Sequence, residues 1–108
     1  MSAPIRHADL RGHRLPQTLL LIDERNRLLT EAARRFYPGA SDREIARQLR
    51  AALSRYRDGR WRRDRSLPTC PAQHQGKLTA LLFCLLKTRD ALPSERLIRL
   101  VLAASSRE

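Results

Sequence analysis

The sequence contains few of the residues that stabilise small secreted folds. Its 108 residues include only two cysteines, Cys70 and Cys84. Two cysteines are too few for a disulfide framework, and a chain of this length can bury a core without disulfides or metal. We therefore expect a single domain in a reducing, cytoplasmic compartment.

Long apolar segments are also missing. The longest, LTALLFCLL beginning at Leu78, is far too short to span a bilayer, and no apolar segment typical of a signal peptide follows the basic start of the chain. We therefore expect no membrane partner. The four glycines stand apart from one another, which excludes a glycine-rich phosphate-binding loop.

Acidic residues are scarce relative to basic ones. Asp and Glu total 11 against 22 Lys and Arg, so the formal net charge is +11 and the isoelectric point is near 11.4. This charge predicts attraction to polyanions such as nucleic acid, or to an acidic protein. A GC-rich genome would explain why arginine outnumbers lysine, but it does not explain the excess of positive charge.

Hydrophobic periodicity predicts an all-α fold, a compact bundle of about four helices separated by Pro and Gly. The predicted helices run from just after Pro16 to Pro38, from Ser41 to about Gly59, from about Gln75 to Arg89, and from Ser94 to the polar end of the chain. We expect a flexible basic arm over residues 1–14 and a single helical domain over residues 15–105.

Apolar side chains recur on one side of each predicted helix. In the first helix they are Leu21, Ile22, Leu28, Leu29, Ala32 and Phe36. In the second they are Ile45, Leu49, Ala52, Leu53 and Tyr56, preceded by Ser41 and Glu44 at the spacing of a capping box. The third helix is apolar on nearly every side, which predicts a central position, with Leu81, Leu82 and Leu85 in the core.

The segment SDREIARQLRAALSRYRDGRWRRDR, residues 41–65, holds nine of the twenty arginines. From Arg43 to Arg65 these nine face three acids, which gives a local charge of +6. On the second helix Arg43, Arg47, Arg50 and Arg57 are predicted to lie opposite the apolar stripe and to face outward together.

Two interpretations of this segment remain open. The arginines can form a solvated surface that pairs with Glu44, Asp58 and Asp64, or they can hold the phosphates of a nucleic acid. Trp61 can stack on a base, or it can fold back onto Tyr56 and cap the core. The predicted nucleic-acid-binding residues are Arg43, Arg47, Arg50, Arg57, Arg60, Trp61, Arg62, Arg63 and Arg65.

Two short fragments resemble parts of helix-turn-helix regulators. SDREIARQL is similar to the first helix of that motif, but the motif requires a tight turn just after Leu49, where RAALSRY continues the helix. LPSER, beginning at Leu92, is similar to the opening of the motif in GntR-type regulators, which would require a recognition helix beyond Glu108. Each resemblance covers about ten residues, and we assign the chain to no family.

Metal and catalytic sites have weak sequence support. Cys70 and His74 have a spacing that can place two zinc ligands on one helical turn, but further ligands would have to come from Cys84, His7 or His13. Because no second pair exists, we expect no metal and no other cofactor. We likewise expect no enzymatic activity.

Two functions of different classes follow from these observations. In the first, the protein binds DNA or RNA through the arginine-rich helix face and the following loop, in an accessory or regulatory role. In the second, it is a helical adaptor or inhibitor that docks its basic face on an acidic protein partner. The density of arginines around Trp61 favours the first.

Overall fold

A computed structural model describes residues 16–105, and every regular element within that range is helical. The elements are α1 (Pro16–Phe36), α2 (Asp42–Asp58), α3 (Trp61–Asp64), a 3₁₀ turn (Ala72–His74), α4 (Leu78–Thr88) and α5 (Glu95–Ser105). The predicted all-α bundle is confirmed, with four substantial helices and the short α3. The predicted arm over residues 1–14 lies outside the described range.

The second half of α1 enters the core, whereas its first half extends past it. The buried residues of α1 are Leu28, Leu29, Ala32 and Ala33. Leu21, predicted to lie on the apolar face, is 44% exposed, and its neighbour Leu20 is 68% exposed. Periodicity cannot show how far along a helix its partners reach, which is why the apolar face was predicted too long.

Helix α2 begins where the sequence predicts, at a serine cap. The Ser41 hydroxyl oxygen accepts a hydrogen bond from the Glu44 backbone N–H at 3.1 Å. The other half of the capping box does not form, because the Glu44 carboxylate bonds instead to Arg47 and Gln48. The predicted apolar stripe is buried along its whole length.

Helix α4 begins later than predicted. Gly76 has a φ of +79°, a left-handed conformation that suits glycine, and it separates the 3₁₀ turn from α4 at Leu78. The predicted central position of α4 is confirmed, since Leu81, Leu82 and Leu85 are all buried.

The helices pack in two main pairs, α2 against α5 and α1 against α4. Arg57, near the end of α2, forms an ion pair with Asp90, which lies ahead of α5. This ion pair joins α2 to the segment before α5. The largest fully buried side chains are Leu29, Leu49, Leu53, Leu86 and Ile98. Burial of each stabilises the fold by about 1.5–3 kcal/mol. None of the helices described between residues 16 and 105 is long and apolar enough to cross a membrane.

Candidate nucleic-acid interface

Trp61 lies in the core, which corrects its prediction as a nucleic-acid-binding residue. Its side chain is 4% exposed, and its ring centroid lies 6.0 Å from that of Tyr56 and 5.7 Å from that of Phe83. A base cannot stack on a ring that is almost completely buried. The alternative interpretation, in which the indole folds back onto Tyr56, is the one that the structure supports.

Asp64 also points inward, although the sequence suggested it as a partner for arginine. Its Oδ2 accepts a hydrogen bond from the Tyr56 hydroxyl at 2.7 Å and contacts His74 Nε2 at 2.9 Å. Burial alone would raise the pKa of this carboxyl, but the hydrogen bonds from His74 and Tyr56 outweigh it and hold the pKa below its usual range. Asp64 therefore stabilises the core and forms no ion pair with a surface arginine.

The residues with possible zinc-ligand spacing serve other contacts. His74 bonds to Asp64, and the Cys70 thiol donates to the Pro71 carbonyl at 3.6 Å. Burial raises the pKa of the Cys70 thiol, which disfavours the thiolate that metal binding requires. Across the described part of the chain, no three His, Cys, Asp or Glu side chains are grouped to hold a metal ion. His7 and His13 lie outside that part.

Four of the predicted arginines form a stripe along α2. Arg43, Arg47, Arg50 and Arg57 fall within an arc of about 80° on an ideal helix, and the stripe is about 21 Å long. Its centre lies about 120° from the centre of the buried face, beside the core instead of directly opposite it. Accordingly Arg43 and Arg47 are exposed, whereas Arg50 and Arg57 are half-buried.

Most of the arginines from 41 to 65 form no ion pair with a described acid. Arg47 pairs with Glu44, and Arg57 pairs with Asp90 through Nε and Oδ1 at 2.9 Å. The other seven form no ion pair with any residue from 16 to 105: Arg43, Arg50, Arg55, Arg60, Arg62, Arg63 and Arg65.

The acids suggested as partners do not neutralise this segment. Of the three, only Glu44 pairs with an arginine. Asp58 is exposed and forms no ion pair within the described residues. Asp64 is buried and faces Tyr56 and His74. These three acids therefore do not offset the arginines of α2 and α3, as they would in an ordinary solvated surface.

Helix α1 provides the contrast. Arg27 bridges Glu24 at 2.7 Å and Glu31 at 3.1 Å, and Arg35 pairs with the same Glu31 at 3.0 Å. These exposed i,i+3 and i,i+4 pairs are the ordinary arrangement of a solvated helix. The same chain thus carries arginines offset by acids on one helix and arginines without them on another.

Helix α3 continues the basic surface of α2. Because Trp61 and Asp64 point inward, Arg62 and Arg63 between them are exposed. The end of α2 and the residue just after α3 are linked electrostatically at Asp90, whose pKa is lowered first by the hydrogen bond from Arg57 and also by the charge of Arg65.

Lys87 of α4 adds a cation that the predicted site did not include. Its Nζ donates to the Arg65 carbonyl at 2.8 Å and lies 5.8 Å from the centroid of the Phe83 ring. No sequence signal links Lys87 to a residue 22 positions earlier. We call the combined set the arginine surface; it comprises Arg43, Arg47, Arg50, Arg57, Arg62, Arg63, Arg65 and Lys87.

Arg60, also predicted as a binding residue, has a different setting. It lines a cleft together with Arg55 and Lys77, neither of which was predicted as a binding residue.

Comparison with known proteins gives no guide to function. No known protein family, curated protein or solved structure matches this chain. The assignment of a function therefore depends on the chemistry of these basic side chains.

Proposed function

We propose that the protein binds nucleic acid, in an accessory or regulatory role, by holding phosphates on the arginine surface. The observation that carries the proposal is that Arg43, Arg50, Arg62, Arg63 and Arg65 form no ion pair with any described residue. A guanidinium without an ion pair can take up a phosphate with no competing carboxylate to displace.

The dimensions of the α2 stripe suit an extended polyanion. One strand of duplex DNA carries a phosphate every 3.4 Å of helix axis, so a stripe of about 21 Å runs past about six phosphates. A single small anion would use only a fraction of this length.

The burial of Trp61 determines the kind of binding that we propose. With the indole in the core, the arginine surface offers guanidinium and ammonium groups and no exposed aromatic ring. Contacts to phosphate fix position but carry no sequence information. The proposed binding is therefore largely independent of base sequence.

Three single variants test the proposal, each removing one exposed arginine. Arg43→Ala and Arg62→Ala remove unpaired guanidinium groups, and Arg27→Ala is the matched control because its charge is already offset by Glu24 and Glu31. Near physiological ionic strength, where weak attraction is screened, the first two should weaken binding to duplex DNA, single-stranded DNA and RNA. The control should bind as the unmodified protein does, and fluorescence anisotropy with labelled strands measures all three.

Two results would contradict the proposal. If Arg27→Ala weakens binding as much as Arg62→Ala, net charge and not the arginine surface determines affinity. If the unmodified protein binds none of the three nucleic acids at that ionic strength, the acidic protein partner becomes the better explanation of the surface.

A further inference from the structure

A second basic feature lies outside the arginine surface, in a cleft between the end of α2 and the start of α4. The cleft has a volume of about 520 Å³, and its walls include Arg55, Arg60 and Lys77. None of the described residues that line it is acidic. None of its three cations forms an ion pair with any residue from 16 to 105.

The lining of the cleft also includes a buried histidine with an unused nitrogen. His74 is 4% exposed, and its Nε2 is engaged by the Asp64 carboxylate. Its other ring nitrogen, Nδ1, has no hydrogen-bond partner among the described residues. Tyr56, whose hydroxyl donates to the same carboxylate, lies beside His74 in the lining. A buried imidazole held in orientation on one side thus leaves one polar atom for a ligand.

The start of α4 adds backbone donors to the same place. Lys77 is the residue before the helix, no side chain caps the helix, and Thr79 in its first turn also lines the cleft. The first amide groups of an uncapped helix are free to donate, and the helix dipole favours an anion beside them. Thr79 lines the cleft, and the amide of Leu78 lies in the chain between Thr79 and Lys77, which also lines it.

We propose that this cleft is a binding site for a phosphate group, either free phosphate or a phosphate monoester. The three cations more than offset the charge of a phosphate dianion, and the Thr79 hydroxyl and the first amides of α4 can donate hydrogen bonds to its oxygens. Because His74 Nε2 donates to Asp64, Nδ1 of the neutral imidazole is an acceptor and can take a hydrogen bond from a P–OH group. The inference goes beyond the proposed nucleic-acid binding and does not depend on it, because Arg55, Arg60 and Lys77 are not part of the arginine surface.

A titration of the full chain with inorganic phosphate tests the site. We expect saturable NMR shifts at the amides of Leu78 and Thr79 and at the imidazole of His74. Arg60→Ala and Lys77→Ala should each weaken phosphate binding about tenfold, since each removes one charged donor. Arg27→Ala removes an exposed arginine outside both the cleft and the arginine surface and should leave phosphate binding unchanged.

Two oligonucleotides then identify the source of the phosphate. If a strand with a 5′-phosphate produces the same shifts and the same strand with a 5′-hydroxyl does not, the cleft accepts a nucleic-acid end. If inorganic phosphate alone produces them, the ligand is a small phosphate compound; either result supports the site.

The inference is overturned if phosphate produces no saturable shifts at these three residues, or if Arg60→Ala and Lys77→Ala leave the shifts unchanged. Circular dichroism of each variant confirms that the fold is intact, which is expected because both side chains are exposed. Failure of nucleic-acid binding alone, with the phosphate titration unaffected, would count against the arginine surface and leave the cleft supported.

Discussion

At the scale of single residues, Asp64 has the clearest double role. Its carboxylate joins Tyr56 and His74 in a buried hydrogen-bond network, and by pointing inward it leaves the arginines of α3 without an acidic neighbour. Sequence alone placed Asp64 among the surface acids, because nothing in the run RRDR indicates that a histidine ten residues later covers it. Charge counting treats all acids alike, whereas burial separates them.

The network predicts a dependence of stability on pH. The pKa of Asp64 is lower in the folded state than in the unfolded state. The Asp64 carboxylate therefore stabilises the fold fully above the ordinary aspartate pKa of about 3.9. This stabilisation is lost as the pH falls through the lower folded-state pKa. Asp64→Asn should therefore lower the free energy of unfolding at neutral pH by about 1–3 kcal/mol, and its deficit should shrink below about pH 4. Urea denaturation over that pH range measures both effects.

Asp58→Asn is the matched control for this experiment. Asp58 is an exposed acid six residues earlier with no ion pair in the described structure, so its removal should leave stability nearly unchanged at every pH. Equal stability of Asp64→Asn and the unmodified protein at neutral pH would show that the network does not stabilise the fold.

At the scale of elements, α3 shows what the sequence could and could not predict. The long helices follow from periodicity, and the Ser41 cap was placed correctly. The four residues of α3 are too few for periodicity to be read, and the segment was expected to be a loop. Its position depends on packing of Trp61 against Tyr56 and Phe83, and Phe83 belongs to a helix that follows later in the chain.

The anchoring of α3 can be tested by fluorescence, because Trp61 is the only tryptophan in the chain. A ring that is 4% exposed should show blue-shifted emission and weak quenching by acrylamide. Saturation with nucleic acid should leave its emission nearly unchanged, since the bound phosphates would contact arginines and not the indole. Strong quenching on binding would mean that Trp61 leaves the core and stacks on a base.

At the scale of the whole molecule, the distribution of charge matters more than its total. A net charge of +11 predicts attraction to anions but not a location for them. Glu24 and Glu31 of α1 pair with arginines of the same helix, whereas α2 and α3 retain most of their positive charge. The sequence correctly indicated where arginines are dense. It could not indicate the cleft, which joins Arg55 and Arg60 to Lys77 through the folding of the segment between α3 and α4.

The salt dependence of nucleic-acid binding tests the central claim most directly. Binding to duplex DNA should weaken as salt rises, and the logarithm of the association constant should fall by about 0.9 per phosphate held for each unit of log salt. The five unpaired arginines of the arginine surface predict a slope of about −4.5, and Arg62→Ala should reduce its magnitude by about one. A slope near zero, or a slope that Arg62→Ala and Arg27→Ala change equally, would contradict the account.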